Sequence, residues 1–334
     1  MKTEIIAGKP WPEALKREWE ALLSASRFQN PFLTPAWNEI WLKHFGNSLQ
    51  TMIILFRAVG GDLLALGAFS SLNGKEGKKG LALWGSAEVC DYRDLIISSG
   101  QEEETCRELA RFFGMGSWDF LELNGISEFS PTIQVLPPLM RSFGFRVVQE
   151  VEEISVYLKL PSTWERFLEE LSAKDRHELR RKIRRLEREA KFEFSGMEGN
   201  PFVPERMEAF FTLHRKSGKD KAEFMTPAMV EFFRELSIRY QEKGWLNLSF
   251  LKVEEKDAAA FLSFDFQGTE YVYNSGYDPQ FGRFSPGIIL SSQCIRRAIE
   301  KGMTHFNFLR GREDYKYNLG GKEEKICRIR VEKP

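Results

Sequence analysis

Ser285-Pro286-Gly287 stands at the head of an apolar helical pattern and follows a strand-like run that ends at Tyr277. At such a junction the first backbone N–H groups of the helix have no intrahelical acceptor. They also lie at the positive end of the helix dipole, which suits a pyrophosphate. Arg310 comes just past a second strand-like run, residues 306–309. A guanidinium at a strand end can take a phosphate or a carboxylate. Residues 174–191 carry a denser basic array: Arg176, Arg180, Arg181, Arg184, Arg185 and Arg188 surround an apolar stripe of Leu179, Ile183, Leu186 and Ala190. It reads either as a solvated face, partly neutralised by Glu178, Glu187 and Glu189, or as an anion site for a cofactor phosphate, a substrate phosphate, RNA or a lipid head group. No His, Cys or carboxylate group has metal-ligand spacing, so no metal is expected. Neither a Gly-x-Ser-x-Gly nor a Walker motif occurs.

The elements that must hold these groups have ample chain. At 334 residues there is room for two domains, each with its own core. Hydrophobic content of 42% with 29% charged residues describes a globular protein, and 28 Phe favour a mixed sheet-and-helix core over a coiled coil. Formal net charge is zero, so no global field draws the chain to nucleic acid or anionic lipid. Cys90, Cys106, Cys294 and Cys327 show no paired spacing and read as buried small hydrophobes in a reducing compartment. The start, MKTEIIAGKPWPEALK, lacks an apolar signal region, and no run approaches a membrane span. A cytoplasmic location is the expectation.

Read along the chain, hydrophobic period and turn residues predict the same series twice. Helical patterns open at Pro12 and Pro35. A hairpin follows, residues 51–59 and 63–71 around Gly60-Gly61-Asp62. A third strand at 81–84, a helix at 102–113 and a strand at 120–123 come next, then a helix near 135–142 and a strand from Phe145. The second half has helices at 204–216 and 227–241, a hairpin of 246–253 and 258–266, and a strand at 271–277. A helix at 286–301 and a strand at 306–309 complete it. FRAVGGDLLALGAF (56–69) runs parallel to LKVEEKDAAAFLSF (251–264), and DFLELNG (119–125) to HFNFLRG (305–311). That agreement in order and turn position points to a duplicated domain. Domains are expected at 1–153 and 154–334, the second including a basic helical segment at 162–191 with two capping-box starts, Ser162-Thr163-Trp164-Glu165 and Ser172 with Asp175. The fold class expected is α/β (α+β).

Leu171-Ser172-Ala173-Lys174-Asp175-Arg176, Ser275-Gly276-Tyr277-Asp278-Pro279, Ser285-Pro286-Gly287, Phe308-Leu309-Arg310-Gly311 and Tyr315-Lys316-Tyr317-Asn318-Leu319-Gly320 together resemble the CelD/BcsL-like acetyltransferases. More broadly, hairpin, strand, turn, helix and strand resemble the acyl-CoA-binding core of the GNAT acyltransferases. The doubling resembles the tandem GNAT arrangement of Fem-type aminoacyltransferases. The resemblance implies two tandem GNAT-like domains, each a mixed, largely antiparallel sheet flanked by helices. It also implies acyl transfer to a cell-surface polysaccharide or cell-envelope precursor. The acyl donor, acetyl-CoA or another acyl-CoA, would lie where the strands before and after the phosphate turn splay. Tyr277, Phe284, Ser285, Gly287 and Ile288 would contact it. The turn Gly282-Arg283-Phe284-Ser285-Pro286-Gly287 keeps only part of the Q/R-x-x-G-x-G/A pattern, and Pro286 supplies no N–H.

Acyl transfer needs a neutral nucleophile, stabilisation of an oxyanion and a proton for the leaving group. His214 is a candidate base because imidazole titrates near neutrality, or else a structural histidine. Asp278 and Glu313 are alternative bases, although Asp278 before Pro279 also reads as turn chemistry. By resemblance to the Phe-Lys-x-x-Phe-Gly ending of Fem enzymes, Lys316 would stabilise charge at the transferred acyl group. Tyr315 or Tyr277 could protonate the leaving group. Asp91, Tyr92 and Arg93 resemble the acceptor-contacting residues of Fem-like first domains, and with Arg310 and His214 they outline an acceptor site between the domains. A structural Asp–Arg pair is the competing reading of that loop. Three other functions stay open: a Fem-like transferase that takes its acyl group from aminoacyl-tRNA, a noncatalytic binding module on the duplicated fold, and an RNA-binding protein that uses residues 174–191.

Overall fold

The computed structural model describes residues 1–8, 10–46, 49–86, 88–196 and 204–334. The chain forms two compact units, Met1–Ile154 with Glu324–Pro334, and Ser155–Glu323. In chain order the first carries β1 (Lys2–Ala7), α1 (Glu13–Ala25), α2 (Pro35–Phe45), β2 (Thr51–Arg57), β3 (Leu63–Asn73), β4 (Lys79–Leu83), β5 (Ile96–Ile97), α3 (Glu102–Met115), β6 (Phe120–Ser127) and α4 (Pro131–Ser142). Strand β7 (Arg146–Lys159) takes the chain across the division. The second unit then has α5 (Trp164–Glu170), α6 (Ala173–Glu189), β8 (Phe192–Ser195), α7 (Pro204–Lys216), α8 (Lys219–Phe224), α9 (Pro227–Glu242), β9 (Leu246–Val253), β10 (Lys256–Phe266), β11 (Thr269–Tyr277), α10 (Pro286–Glu300), β12 (His305–Arg310) and α11 (Asp314–Asn318). The last strand is β13 (Lys322–Glu332).

Local chemistry explains most of the boundaries. Thr34 caps α2 by accepting from the Trp37 N–H, with Pro35 in the first helical position. Thr163 and Ser172 cap α5 and α6 in the same way. Gly61 takes φ +100° in the β2–β3 turn, a value L side chains avoid.

The duplication expected from sequence appears in the pairing of each unit. In the first, β1, β2, β3 and β4 pair antiparallel in that order. Strand β6 joins β4 in parallel through Gly80↔Phe120, Leu81↔Leu121 and Ala82↔Glu122. In the second, β8, β9, β10 and β11 pair antiparallel, and β12 joins β11 in parallel through Thr269↔His305, Glu270↔Phe306 and Tyr271↔Asn307. Each parallel strand has an antiparallel neighbour on its other side: β13 against β6, and residues 155–159 of β7 against β12. In the first unit, apolar strand side chains such as Phe56, Phe69, Leu121 and Ile329 cluster with Phe113 of α3 and Leu136 of α4 as a core.

The C-terminus corrects the expected boundary at 154–334. Strand β13 buries Ile326, Cys327, Ile329 and Val331, and its pairing with β6 assigns Glu324–Pro334 to the first unit. A partner about two hundred residues upstream leaves no local mark on the sequence.

Candidate active site

Strands β11 and β12 are paired only from Thr269 to Tyr271 and part after that. Two irregularities accompany the parting. The β10–β11 register shifts between Leu262 and Ser263, and the β7–β12 register shifts between Asn307 and Leu309. Leu309 itself is at φ +58°. The wedge opens on a cavity of about 440 Å³ in the second unit. Phe261, Ser275 and Tyr277 form its strand wall, Ser285 to Ile288 its turn wall, and Lys221, Glu313 and Tyr315 its polar wall.

The turn engages most of its own backbone donors: the Ser285 N–H donates to the Gly282 carbonyl at 2.9 Å, and Pro286 has no N–H. Asp278 caps the short 3₁₀ helix Pro279–Phe284 through the Gln280 N–H, 3.0 Å away. Ser285 then reverses the chain in the left-handed region at φ 53° and ψ 53°, and Pro286 starts α10. The Ile288 and Ile289 N–H groups both turn back to the Ser285 carbonyl. Around Gly287 a side chain would meet open space, so a ligand can approach the backbone there.

The first unit has the same wedge in a closed form. Where β4 leaves β6, Trp84 stacks on Trp11, its centroid 5.6 Å away, and its indole N–H donates to Asn38 at 2.5 Å. The cavity beside Trp84 is small, about 20 Å³, and is lined by Trp19, Leu66, Leu83 and Arg93 among others. The helix that follows, α3, opens with Glu102, Glu103 and Glu104, whose charges oppose an anion. The open, anion-compatible wedge is therefore in the second unit.

Around the open cavity the expected groups separate. Tyr277, Ser285, Gly287, Ile288, Glu313 and Tyr315 line it. Phe284 is buried under the turn, with Arg283 stacked 4.4 Å over its ring. Burial, and then the Glu313 carboxylate, push the Tyr315 phenol above its ordinary range, so it holds its proton at neutral pH. His214 is 1% exposed and outside the cavity wall, its Nε2 3.0 Å from Asn274 Oδ1. Burial and the nearby Lys221 ammonium draw its pKa down to about 4. Asp278 is also engaged: Lys216 donates to it at 2.7 Å, and this bond holds its carboxyl below the usual range.

Lys316 is 2% exposed, and its Nζ donates to the Leu309, Arg310 and Gly311 carbonyls at 3.2, 2.6 and 3.1 Å. It also pairs with Glu313 Oε2 at 3.0 Å. It therefore fixes the end of β12 and the carboxylate that reaches the cavity. Gly311, at φ +106°, makes room for this fold, since a Cβ there would lie 2.4 Å from Glu313 Oε2. Arg310 sits half-buried at the strand end, its carbonyl held by Lys316.

In the first unit, Tyr92 and Arg93 are interior groups, against the expectation that they contact an acceptor. Tyr92 is 2% exposed and donates to the buried Glu324 at 2.7 Å. Arg93 is 8% exposed and donates to the Gly85 carbonyl at 2.9 Å. Asp91 stays half-exposed on the same loop.

Lys221 is a wall residue that the sequence reading missed. Its Nζ donates to the Ser275 carbonyl at 2.5 Å, and burial lowers its pKa. Nothing in Lys219-Asp220-Lys221 separates it from a solvated turn; α8 brings it to β11 only in the folded unit.

Among the described residues, no group of three or more His, Cys, Asp or Glu could hold a metal ion, and no helix is long and apolar enough to cross a membrane.

Residues 173–317 match the family model of the acetyltransferase (GNAT) domain. Among solved structures, the chain is similar to a crystal structure of FemX, at 10% identity and TM-score 0.67, covering 98% of this chain and 96% of that one. It is similar to the C-terminal domain (DUF2156) of a putative lysylphosphatidylglycerol synthetase from Agrobacterium fabrum, at 11% identity and TM-score 0.58, covering 95% and 91%. It is also similar to a tandem GNAT protein from the clavulanic acid biosynthesis pathway, at 11% identity and TM-score 0.53, covering 100% and 99%. At these identities the likeness is one of fold: two tandem GNAT-like domains, each a mixed sheet flanked by helices. No curated protein matches the chain significantly in sequence.

Proposed function

We propose that this chain is an acyltransferase whose second unit holds an acyl-CoA in the wedge between β11 and β12. One observation carries the reading. The wedge opens on a cavity of about 440 Å³ beside the accessible backbone at Gly287 in the second unit, while in the first unit the end of β4 is covered by the stacked Trp84 and Trp11. The diphosphate lies against Ser285, Gly287 and Ile288, with Tyr277 beside the donor. The acceptor's amine or hydroxyl attacks the thioester carbonyl carbon and the C–S bond breaks. Glu313 removes the acceptor's proton, and Tyr315 gives its proton to the departing thiolate. Among the groups considered as bases, Glu313 has reach, because His214 and Asp278 are held elsewhere. Lys316 acts as a positioning residue through Glu313 and the β12 end. Lys221 supplies a cation beside Ser275 as negative charge develops.

The acceptor class follows from the resemblance to CelD/BcsL-like acetyltransferases: a glycan or other cell-envelope precursor, acetylated on nitrogen or oxygen and met in the cytoplasm. Titration calorimetry with acetyl-CoA tests the donor site. The expected result is binding by the wild type and none by Gly287→Trp, whose indole would enter the cavity. Failure of the wild type to bind any member of an acyl-CoA panel overturns the reading.

A further inference from the structure

Ser217, Ser275 and Ser285 line the cavity of the second unit, and their hydroxyls have different partners. Ser217 Oγ donates to the His214 carbonyl at 2.7 Å. Ser285 Oγ accepts from Lys182, whose ammonium also pairs with Glu178 at 2.8 Å. Ser275 Oγ lies 3.3 Å from Lys221 Nζ, which also donates to the Ser275 carbonyl at 2.5 Å. Among the described residues no carboxylate forms an ion pair with Lys221. Glu313 acts on it only through space and is itself paired with Lys316 at 3.0 Å. Burial lowers the Lys221 pKa; Glu313 opposes this and the Lys316 charge adds to it. A lysine so placed can work as a neutral amine that accepts a proton. The strand around Ser275 is fixed as well. Asn274 Oδ1 is 3.0 Å from His214 Nε2, and at Gly276 the α7 backbone comes so close that a Cβ would lie 2.3 Å from the His214 nitrogen. Packed elements, rather than a loop, therefore hold the Ser275 hydroxyl beside its amine.

We propose that Ser275 and Lys221 form a serine–lysine nucleophilic pair, which gives the chain a second activity: acceptor-independent hydrolysis of an acyl thioester through an acyl-Ser275 ester. The inference rests on the acyl-CoA reading above. Ser275 Oγ attacks the thioester carbonyl carbon while its proton passes to the neutral Lys221 amine. The C–S bond breaks, and the thiolate takes that proton and leaves as the thiol. Water then attacks the ester carbonyl and gives a proton to Lys221. The C–O bond to Ser275 breaks, the serine oxygen takes the proton back, and the acyl group leaves as the acid. Lys221 ends the cycle as it began. Serine–lysine pairs perform this chemistry on unrelated folds, with the amine in the place of a histidine. An acceptor bound at the thioester competes for the same carbon, so hydrolysis is a reaction of the acceptor-free enzyme.

Acetyl-CoA added to the full chain without any acceptor tests it. Thiol release by the wild type should exceed that in protein-free buffer about a hundredfold or more. Protein quenched with acid during turnover should carry an acetyl group, labile to hydroxylamine, on the peptide that holds Ser275. Ser275→Ala should lose both signals, with an unfolding temperature near that of the wild type and with acetyl-CoA binding still seen by calorimetry. Lys221→Arg separates a base from a fixed charge, because a guanidinium keeps the cation and cannot take a proton. It should fail to form the ester. Equal thiol release by the wild type and Ser275→Ala overturns the pair, and so does an undiminished ester in Lys221→Arg. A wild type that binds acetyl-CoA and releases no thiol overturns it too. These three results leave the donor reading intact. No affinity of the wild type for any acyl-CoA of the panel overturns the donor reading, and the activity of the pair with it.

Discussion

Lys316 Nζ lies 3.0 Å from Glu313 Oε2, and three backbone carbonyls at the end of β12 accept hydrogen bonds from the same ammonium. The two residues therefore have different consequences on loss. Lys316→Met leaves buried carbonyls unpaired and should cost about 2–4 kcal/mol of unfolding free energy in urea titrations. Glu313 is mostly exposed, so Glu313→Gln should change stability by less than about 0.5 kcal/mol. Transfer measured by mass shift of an acceptor should nevertheless fall about a hundredfold or more if Glu313 is the base. Full turnover in Glu313→Gln would remove it from that role.

Gly276 is where α7 crosses β11. A Cβ there would lie 2.3 Å from the His214 backbone nitrogen, an approach no side chain permits without moving the helix. Gly276→Ala should cost about 1–3 kcal/mol, while Gly287→Ala, which points into open space, should stay within about 0.5 kcal/mol of wild type. Equal urea midpoints for the two variants would contradict this packing.

These contrasts show what the sequence carried and what it could not. The strand, turn, helix and strand from Thr269 to Arg310 were legible because proline, glycine and apolar period act locally. So were the hairpins, since β9 ends where the pattern ends, at Val253. Burial was not legible. Tyr92 and Arg93 look like binding residues in a polar loop, and only the fold shows that Glu324 and the Gly85 carbonyl receive them. Lys316 read as a stabiliser of charge at the acyl group, and the fold instead directs its ammonium to the carbonyls at the β12 end. Lys221 looked like surface. Each miss involves a polar group whose partner is distant in sequence or is a backbone atom, which residue type does not encode.

The imidazole of His214 makes part of the stability depend on pH. Burial, then the Lys221 charge, lower its pKa from 6.5 to about 4. Below pH 6.5 the unfolded chain binds a proton that the native state refuses until about pH 4. Stability from this group is thus complete above pH 6.5, falls as the pH drops through that window and levels off below it, a loss on the order of 3 kcal/mol. Asp94 opposes it: burial raises its carboxyl from 3.8 to about 6, so the native state gains a proton first on acidification. Urea titrations from pH 7 to pH 4.5 should show a smaller acid loss in His214→Gln and a larger one in Asp94→Asn. The same slope in all three proteins would contradict both assignments.

The closed end of the wedge depends on a buried charge pair. Arg297 Nη2 of α10 donates to Glu270 Oε1 of β11 at 2.7 Å. Ser263 of β10 donates to the same oxygen at 2.8 Å, and Arg297 Nη1 reaches Ser249 of β9 at 2.6 Å. Glu270 is fully buried and pairs in register with Phe306, at the point from which β11 and β12 diverge. Desolvating two charges offsets much of their attraction, so the pair adds little net stability, but breaking one side strands the other. Glu270→Gln should therefore cost about 3–5 kcal/mol, and Glu270→Leu with Arg297→Met should recover most of it. Donor affinity, measured by calorimetry on folded protein, should fall in the single variant, because the wedge loses the tie between α10 and β11. A double variant as unstable as the single one would show that the ion pair, rather than the filling of its volume, holds these four elements together.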